Sequence, residues 1–164
     1  MEIKWVDTHC HLQLLNKNLD ENHFKNIEFL VIPGVDVESS SKAKEISSSL
    51  EVESYWSAGL HPHDAKLLDT QRHDLEKLFV EADLIGETGL DFYRNLSTKE
   101  EQRENFLFHL EFSKQLNKPI IIHCRDSFQD TYDLLVEFNN PSSVILHSWT
   151  CLLYTSDAAD DVEC

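Results

Sequence analysis

Residues 119–124, PIIIHC, are a short apolar run that directly follows a long helical pattern. The helix is predicted over residues 98–116, because Thr98 and Glu101 have the spacing of a capping box and Asn117 with Pro119 stops it. A helix followed at once by a short apolar run is typical of βα units around a parallel sheet. This stretch therefore predicts an α/β fold.

The same alternation of short apolar runs and helical segments extends over most of the chain. Six strands are predicted, at residues 4–7, 29–35, 53–60, 84–90, 119–124 and 143–149. Helices are predicted near residues 20–27, 38–49, 69–82, 98–116 and 126–138. No internal repeat or low-complexity linker interrupts this order, so residues 1–150 are predicted to form one domain.

The last fourteen residues, CLLYTSDAADDVEC at 151–164, break the pattern. A turn and an amphipathic helix are expected after the sixth strand, but this segment is acidic and weakly periodic. We interpret residues 151–164 as a tail of translated cloning or adaptor sequence and exclude it from the fold.

The composition is that of a soluble globular protein, with 164 residues, 41% hydrophobic and 27% charged. Thirty acidic residues against 14 Lys and Arg give a formal charge of −16, which argues against a broad basic surface that holds polyanions. A phosphate substrate would therefore need local positive charge, such as bound metal. No apolar run approaches the roughly 18 residues of a membrane span, and the four cysteines match no secreted framework. These features predict a cytoplasmic monomer that does not enter a membrane.

Polar side chains with metal-ligand chemistry follow five of the six predicted strands. In a parallel βα fold the carboxyl ends of the strands lie on one rim, so these side chains are expected to converge there. Six of the nine histidines belong to this set. Imidazoles and carboxylates suit divalent cations, and several ligands around one carboxylate can hold two ions. The possible ligands are His9, His11, His61, His63, Glu87, Asp91, His123 and His147, and Arg125 lies beside them after the fifth strand.

Five motifs in this order resemble the TatD-type metal-dependent deoxyribonucleases of the amidohydrolase superfamily. They are DTHCH at 7–11, GLHPH at 59–63, IGETGLDFYR at 85–94, KPIIIHCRDS at 118–127 and ILHSW at 145–149. The resemblance spans about residues 6–149. It implies a (β/α)₈ TIM-type barrel, of which about six of eight strands are readable here, a pair of divalent metal ions and hydrolysis of DNA phosphodiester bonds from the 3′ end.

The resemblance also implies roles for individual residues. His9 and His11 would bind one metal ion, His123 and His147 would bind the second, and Glu87 would bridge them as the catalytic carboxylate. A shared carboxylate lowers the repulsion between two close cations and sets their spacing. The ions could be Mg²⁺, Mn²⁺ or Zn²⁺, since these ligand types do not choose among them.

Four further residues are predicted to serve the substrate, and all but His63 have a simpler alternative: His61, His63, Asp91 and Arg125. The two histidines could donate hydrogen bonds to a phosphate, or His61 could cap a loop. Arg125 could bind a phosphate with two hydrogen bonds, or form an ion pair with Asp126 or Glu87. Asp91 could hold a ligand histidine in the correct tautomer, or cap the following turn.

Two departures from the resemblance keep other functions open: only six of the eight barrel strands are readable, and one expected acidic residue has no match. The family pattern includes an aspartate after a later strand, and no residue of this chain can be matched to it. The alternatives are an amidohydrolase that acts on a small cyclic amide or ester, or an inactive fragment that only binds metal. Because many such amidases use a modified lysine as the bridge, Glu87 favours the nuclease.

Overall fold

A computed structural model describes residues 3–15, 21–139 and 143–148. Within these residues one sheet of six parallel strands follows the order of the chain, from the first strand at one edge to the sixth at the other. The strands are β1 Trp5–Asp7, β2 Ile27–Ile32, β3 Glu53–Ala58, β4 Leu84–Asp91, β5 Ile120–Arg125 and β6 Val144–His147. The predicted α/β fold with six readable strands is confirmed.

Four α-helices connect these strands: α1 Val37–Ser49, α2 Leu68–Glu81, α3 Lys99–Leu116 and α4 Phe128–Glu137. Each helix lies between two strands that are neighbours in the sheet, as in a (β/α)₈ barrel. No helix within the described ranges is both long and apolar enough to cross a membrane.

The helix predicted at residues 20–27 is wrong. Residues Glu21–Phe24 form a short 3-10 turn, and β2 already begins at Ile27, opposite Trp5 of β1. Pairing with β1 therefore outweighs the local helical pattern. Strands β2 and β3 also end earlier than predicted, at Ile32 and Ala58, before Pro33 and Gly59. Asp20, Trp149 and residues 151–164 lie outside the described residues, so those parts of the predictions stay predictions.

The predicted start of α3 is confirmed in detail. Thr98 Oγ1 accepts a hydrogen bond from the Glu101 backbone N–H at 3.2 Å, and Glu101 Oε2 accepts one from the Thr98 N–H at 2.7 Å. The helix ends at Asn117, which has a left-handed backbone with φ of 52°. Phe106 and Leu110 of this helix are fully buried in the core between the helices and the sheet.

Alternation along β5 shows how the sheet presents the site. Ile120 and Ile122 belong to the core under the helices, whereas Ile121 packs with Val31 and Leu84 in a separate cluster on the other face. Because residues two apart share a face, His123 lies on the same face of the sheet as Ile121, the face away from the helices. The alternation of side chains along β5 therefore places the imidazole of His123 on this face, near the carboxyl end of the strand.

Candidate metal centre

The five predicted metal ligands come together around the carboxylate of Glu87. Glu87 Oε2 lies 3.2 Å from His9 Nε2 and 3.5 Å from His11 Nε2. Glu87 Oε1 lies 3.1 Å from His123 Nδ1 and 4.0 Å from His147 Nε2. Each carboxylate oxygen therefore faces a different pair of the predicted ligands, and Oε1 also lies 3.6 Å from His61 Nε2.

Glu87 is almost completely buried, with 2% of its surface exposed. Burial by itself raises the pKa of a carboxyl group, but the neighbouring imidazoles of His11, His123 and His9 outweigh it and hold the pKa of Glu87 well below its usual value. The site therefore contains a buried anion, which positive charge must balance.

Hydrogen bonds on the far side of two rings determine which nitrogen faces Glu87. His11 Nδ1 lies 3.1 Å from the carbonyl oxygen of Pro33, and His123 Nε2 lies 3.1 Å from Asp91 Oδ2. Both oxygens can only accept, so these nitrogens carry the protons. In the neutral rings, His11 Nε2 and His123 Nδ1 then point a lone pair at Glu87. A divalent cation between each nitrogen and the carboxylate removes this repulsion, so the donor set fits metal ions.

The backbone of β4 is shaped by two glycines on either side of Glu87. Gly86 has φ of +115° and Gly89 has φ of +132°, and the pairing with β5 shifts register between Ile85 and Thr88. A Cβ atom on Gly86 would lie 2.4 Å from the Ile121 carbonyl oxygen, and one on Gly89 would lie 2.1 Å from that of His123. Only glycine allows β5 to approach this closely.

Asp91 is fully buried and uses both carboxylate oxygens. Oδ2 accepts hydrogen bonds from His63 Nε2 at 2.8 Å and His123 Nε2 at 3.1 Å, while Oδ1 accepts from the backbone N–H groups of Tyr93 and Arg94. Burial raises the pKa of Asp91, but hydrogen bonds from the Arg94 N–H and the two histidines have the larger effect. The pKa of Asp91 is therefore lowered from its ordinary value to about 2. Asp91 thus contacts the rings of His63 and His123 and also caps the turn that follows β4, while the binding of a cation by His123 stays a prediction.

His61 has one nitrogen on the loop and the other on the site. Its Nδ1 accepts a hydrogen bond from the His63 backbone N–H at 3.2 Å, so the neutral ring carries its proton on Nε2, which lies 3.6 Å from Glu87 Oε1. Burial lowers the pKa of His61 to about 3, and the Glu87 charge opposes this only in part. His61 therefore presents a neutral N–H donor to the site and also caps the 3-10 turn Pro62–Leu67.

An open cavity of about 320 Å³ lies over Glu87. Its lining includes all the predicted histidines except His9, together with Leu14, Val35 and Asp64, which the sequence did not indicate. Asp64 directly follows the GLHPH motif, and that position was the available signal. Arg125 is not part of the lining. Its guanidinium lies over the ring of Tyr93, 4.0 Å from the ring centre.

The match to known proteins covers most of the chain. Residues 6–159 match the family model described as TatD related DNase. This chain belongs to the TatD family. A TatD homologue from Escherichia coli K12, YjjV, has a solved structure that matches with a TM-score of 0.81 at 20% identity, over 92% of this chain and 62% of that one.

Two relatives of this TatD-family chain are described in different detail. An uncharacterized metal-dependent hydrolase from Buchnera aphidicola subsp. Baizongia pistaciae is 33% identical, over 88% of this chain and 59% of that protein. The 3′-5′ ssDNA/RNA exonuclease TatD of Escherichia coli K12 is 34% identical, over 74% of this chain and 48% of that protein. The TatD-family chain described here thus spans about half to three fifths of the length of these relatives.

A second histidine supports the loop that carries His61 in this TatD-family chain. His109 of α3 is fully buried; its Nε2 accepts from the Leu60 backbone N–H at 3.0 Å and its Nδ1 donates to the Asn105 carbonyl oxygen at 2.7 Å. Burial lowers the pKa of His109 to about 4, and the nearby charge of Arg72 adds to this effect. The sequence showed His109 only as a helical residue.

The neutral state of His109 predicts acid sensitivity. Because its pKa is lower in the folded protein than the ordinary 6.5, its contribution is fully present above pH 6.5 and is lost as the pH falls towards 4. The free energy of unfolding of the metal-free protein is expected to lose roughly 3 kcal/mol from this residue over that range. Urea unfolding at several pH values measures it.

The variant His109→Gln, which cannot titrate, is expected to reduce this dependence on pH. The matched control is His73→Gln, at an exposed position of α2, which is expected to leave it unchanged. An identical pH dependence in wild type and His109→Gln would contradict the assignment.

Proposed function

We propose that this site binds two divalent cations and hydrolyses phosphodiester bonds of single-stranded DNA, with cleavage from the 3′ end. The observation that carries the proposal is the position of Glu87, whose Oε2 faces His9 and His11 and whose Oε1 faces His123 and His147, with His61 also beside Oε1, all at 3.1 to 4.0 Å. His9 and His11 would hold one cation with Oε2, and His123 and His147 would hold the other with Oε1. Mg²⁺, Mn²⁺ and Zn²⁺ are all compatible with imidazole and carboxylate ligands.

A different grouping of the same side chains is also compatible with cation binding. The potential ligand atoms of His9, Glu87 and His147 lie within 4.8 Å of one another, and so do those of His61, His63 and His123. We favour Glu87 as the bridge, because His63 Nε2 and His123 Nε2 already donate to Asp91. A carboxylate between two cations also sets their separation.

Different residues would have different roles around the phosphodiester bond. Bound divalent cations would supply charge that neutralises the phosphodiester and makes a nearby water molecule more acidic. The Nε2–H of His61 points into the cavity and would donate to a phosphate oxygen. Asp91 fixes the His123 ring, so that its Nδ1 stays directed at Glu87.

Two further facts support a nucleic acid substrate. The Escherichia coli relative at 34% identity is described as a 3′-5′ ssDNA/RNA exonuclease. The bridging residue is a glutamate, which favours a nuclease over amidases with a modified lysine. The formal charge of −16 repels nucleic acid from the surface at large, so recognition must come from the cavity and its cations.

The cytoplasmic location and monomeric state stay predictions.

The test uses the full-length protein that carries this sequence, purified with EDTA and then supplied with Mg²⁺, Mn²⁺ or Zn²⁺. A 5′-labelled single-stranded oligonucleotide is expected to shorten from its 3′ end, and only with added metal. Hydrolysis of small cyclic amides or esters with intact DNA would support the amidohydrolase instead. Cation binding without turnover of either substrate would identify a non-catalytic protein.

Replacing Arg125 with Ala is expected to raise KM for the oligonucleotide about tenfold, because one charge-assisted contact to a phosphate is lost. The turnover number kcat should change little, since Arg125 lies outside the cavity over Glu87. Steady-state kinetics on oligonucleotides measures both values. Arg103→Ala is the matched control, since Arg103 lies on α3 and pairs with Glu137 at the surface. An unchanged KM would leave Arg125 as a partner of Tyr93 alone.

A further inference from the structure

A buried side-chain amide lies directly behind the metal centre. Gln102, in the first turns of α3, has no exposed surface. Its Oε1 accepts a hydrogen bond from the backbone N–H of Asp91 at 2.7 Å, and its Nε2 donates to the Asp91 carbonyl oxygen at 3.1 Å. The amide therefore binds both backbone polar groups of the last residue of β4.

The Gln102 amide takes the place that a neighbouring strand would have beside Asp91. On one side, the end of β4 is held by β5, where Asp91 lies opposite Arg125. On the other side, β3 pairs with β4 only at residues 57 and 58, opposite 84 and 85. Among the described residues, no strand therefore reaches Asp91 from the side of β3. The Gln102 amide satisfies its backbone groups there, as buried polar groups require.

A second chain of contacts runs from the same amide to His63. Gln102 Nε2 also donates to the Ser97 carbonyl oxygen at 3.0 Å. Ser97 Oγ in turn donates to the His63 carbonyl oxygen at 2.9 Å and accepts from the Lys66 N–H at 3.2 Å. Gln102 thus acts on His63 at two points, on its backbone through Ser97 and on its ring through Asp91.

We propose that Gln102 is a positioning residue for the second cation site, acting through Asp91 on His123. By fixing the Asp91 backbone, the amide sets the carboxylate that accepts from His123 Nε2, and this keeps His123 Nδ1 directed at Glu87. The inference rests on the proposed function only in that the His123 ring is taken to bind a cation. Residues behind a ligand histidine commonly change metal affinity by 10- to 100-fold when they are replaced.

The experiment compares Gln102→Leu with Gln115→Leu in the full-length protein. Gln115 lies on the same helix at an exposed position, where its Nε2 donates to Glu111, so the second variant controls for the substitution itself. Mn²⁺ binding is measured by calorimetry. In Gln102→Leu, the affinity of one of the two sites is expected to fall by about 10- to 100-fold, while the other changes much less. Gln115→Leu is expected to bind Mn²⁺ as the wild type does.

A second readout does not depend on metal or activity. In metal-free protein with ¹⁵N-labelled histidine, NMR shows which ring nitrogen carries the proton. His123 is expected to be protonated at Nε2 in the wild type and to lose this fixed tautomer in Gln102→Leu. If Gln102→Leu does not fold, Gln102→Glu gives the same test, since it keeps the acceptor for the Asp91 N–H and loses the donors.

The outcomes separate this inference from the proposed function. A wild-type protein that binds none of Mg²⁺, Mn²⁺ and Zn²⁺ would contradict the proposed function, and the tautomer of His123 would still decide the role of Gln102. Unchanged Mn²⁺ binding and an unchanged His123 tautomer in the Gln102 variant would overturn the inference. Equal weakening of both cation sites would also overturn it, because that result would indicate a general loss of structure.

Discussion

Replacing Glu87 with Ala is expected to lower phosphodiester hydrolysis by several orders of magnitude. Both of its oxygens face imidazoles, so in the proposed site the substitution would remove a ligand from each cation at once. The four predicted ligand histidines would then have no carboxylate between them to balance the charge of bound cations. The measurement is kcat/KM on a single-stranded oligonucleotide, together with the number of metal ions bound per protein molecule.

Two further variants make the test of Glu87 specific. Glu87→Gln keeps the size of the side chain but removes the charge, and it is also expected to lose most bound metal. Glu137→Ala is the control, because Glu137 is exposed and pairs only at the surface with Arg103. Activity of Glu87→Ala within tenfold of the wild type would contradict the role of Glu87 as the bridge.

Replacing Gly89 with Ala is expected to prevent stable folding. The new Cβ would lie 2.1 Å from the His123 carbonyl oxygen, in a backbone with φ of +132° that other residues rarely adopt. Relief of this overlap would push β5 away from β4, at the point where the two strands carry the candidate ligands Glu87 and His123. We expect a loss of more than about 3 kcal/mol in the free energy of unfolding, measured by urea titration or, if little protein is soluble, by yield.

The control for Gly89 is a substitution of similar size on the surface. Val80→Ala, at a side chain that is 63% exposed on α2, is expected to change stability by less than about 0.5 kcal/mol. A Gly89→Ala protein with the unfolding midpoint of the wild type would show that β5 can shift without cost, and would contradict the close approach of the two strands.

The sequence was sufficient to predict which side chains converge, because strand ends of a parallel sheet share one rim. His9, His11, Glu87, His123 and His147 were placed together by that argument, and the structure brings them together; their binding of cations stays a prediction. The boundaries of α3 were also predictable, since the capping box of Thr98 and Glu101 is a local signal.

Other features could not be predicted because they depend on contacts between distant parts of the chain. Ile27 joins β2 through pairing with β1, which a local helical pattern cannot reveal. Gln102 and His109 look like ordinary polar residues of a helix, and only the packed structure shows that they bind the backbone of residues 91 and 60. Buried polar side chains that satisfy another segment's backbone leave no periodic signal in a sequence.

The sequential order of the sheet links cation binding to assembly of the whole domain. The candidate ligands come from β4, β5 and β6 and from the loop after β1, so they span both edges of the sheet. An unfolded chain would hold these groups far apart and would bind ions only weakly. Added cation should therefore raise the thermal unfolding midpoint in proportion to the logarithm of its concentration. The absorption of a coloured ion such as Co²⁺ could then be followed during refolding. Its change would show when β1 and β6 have both joined the sheet.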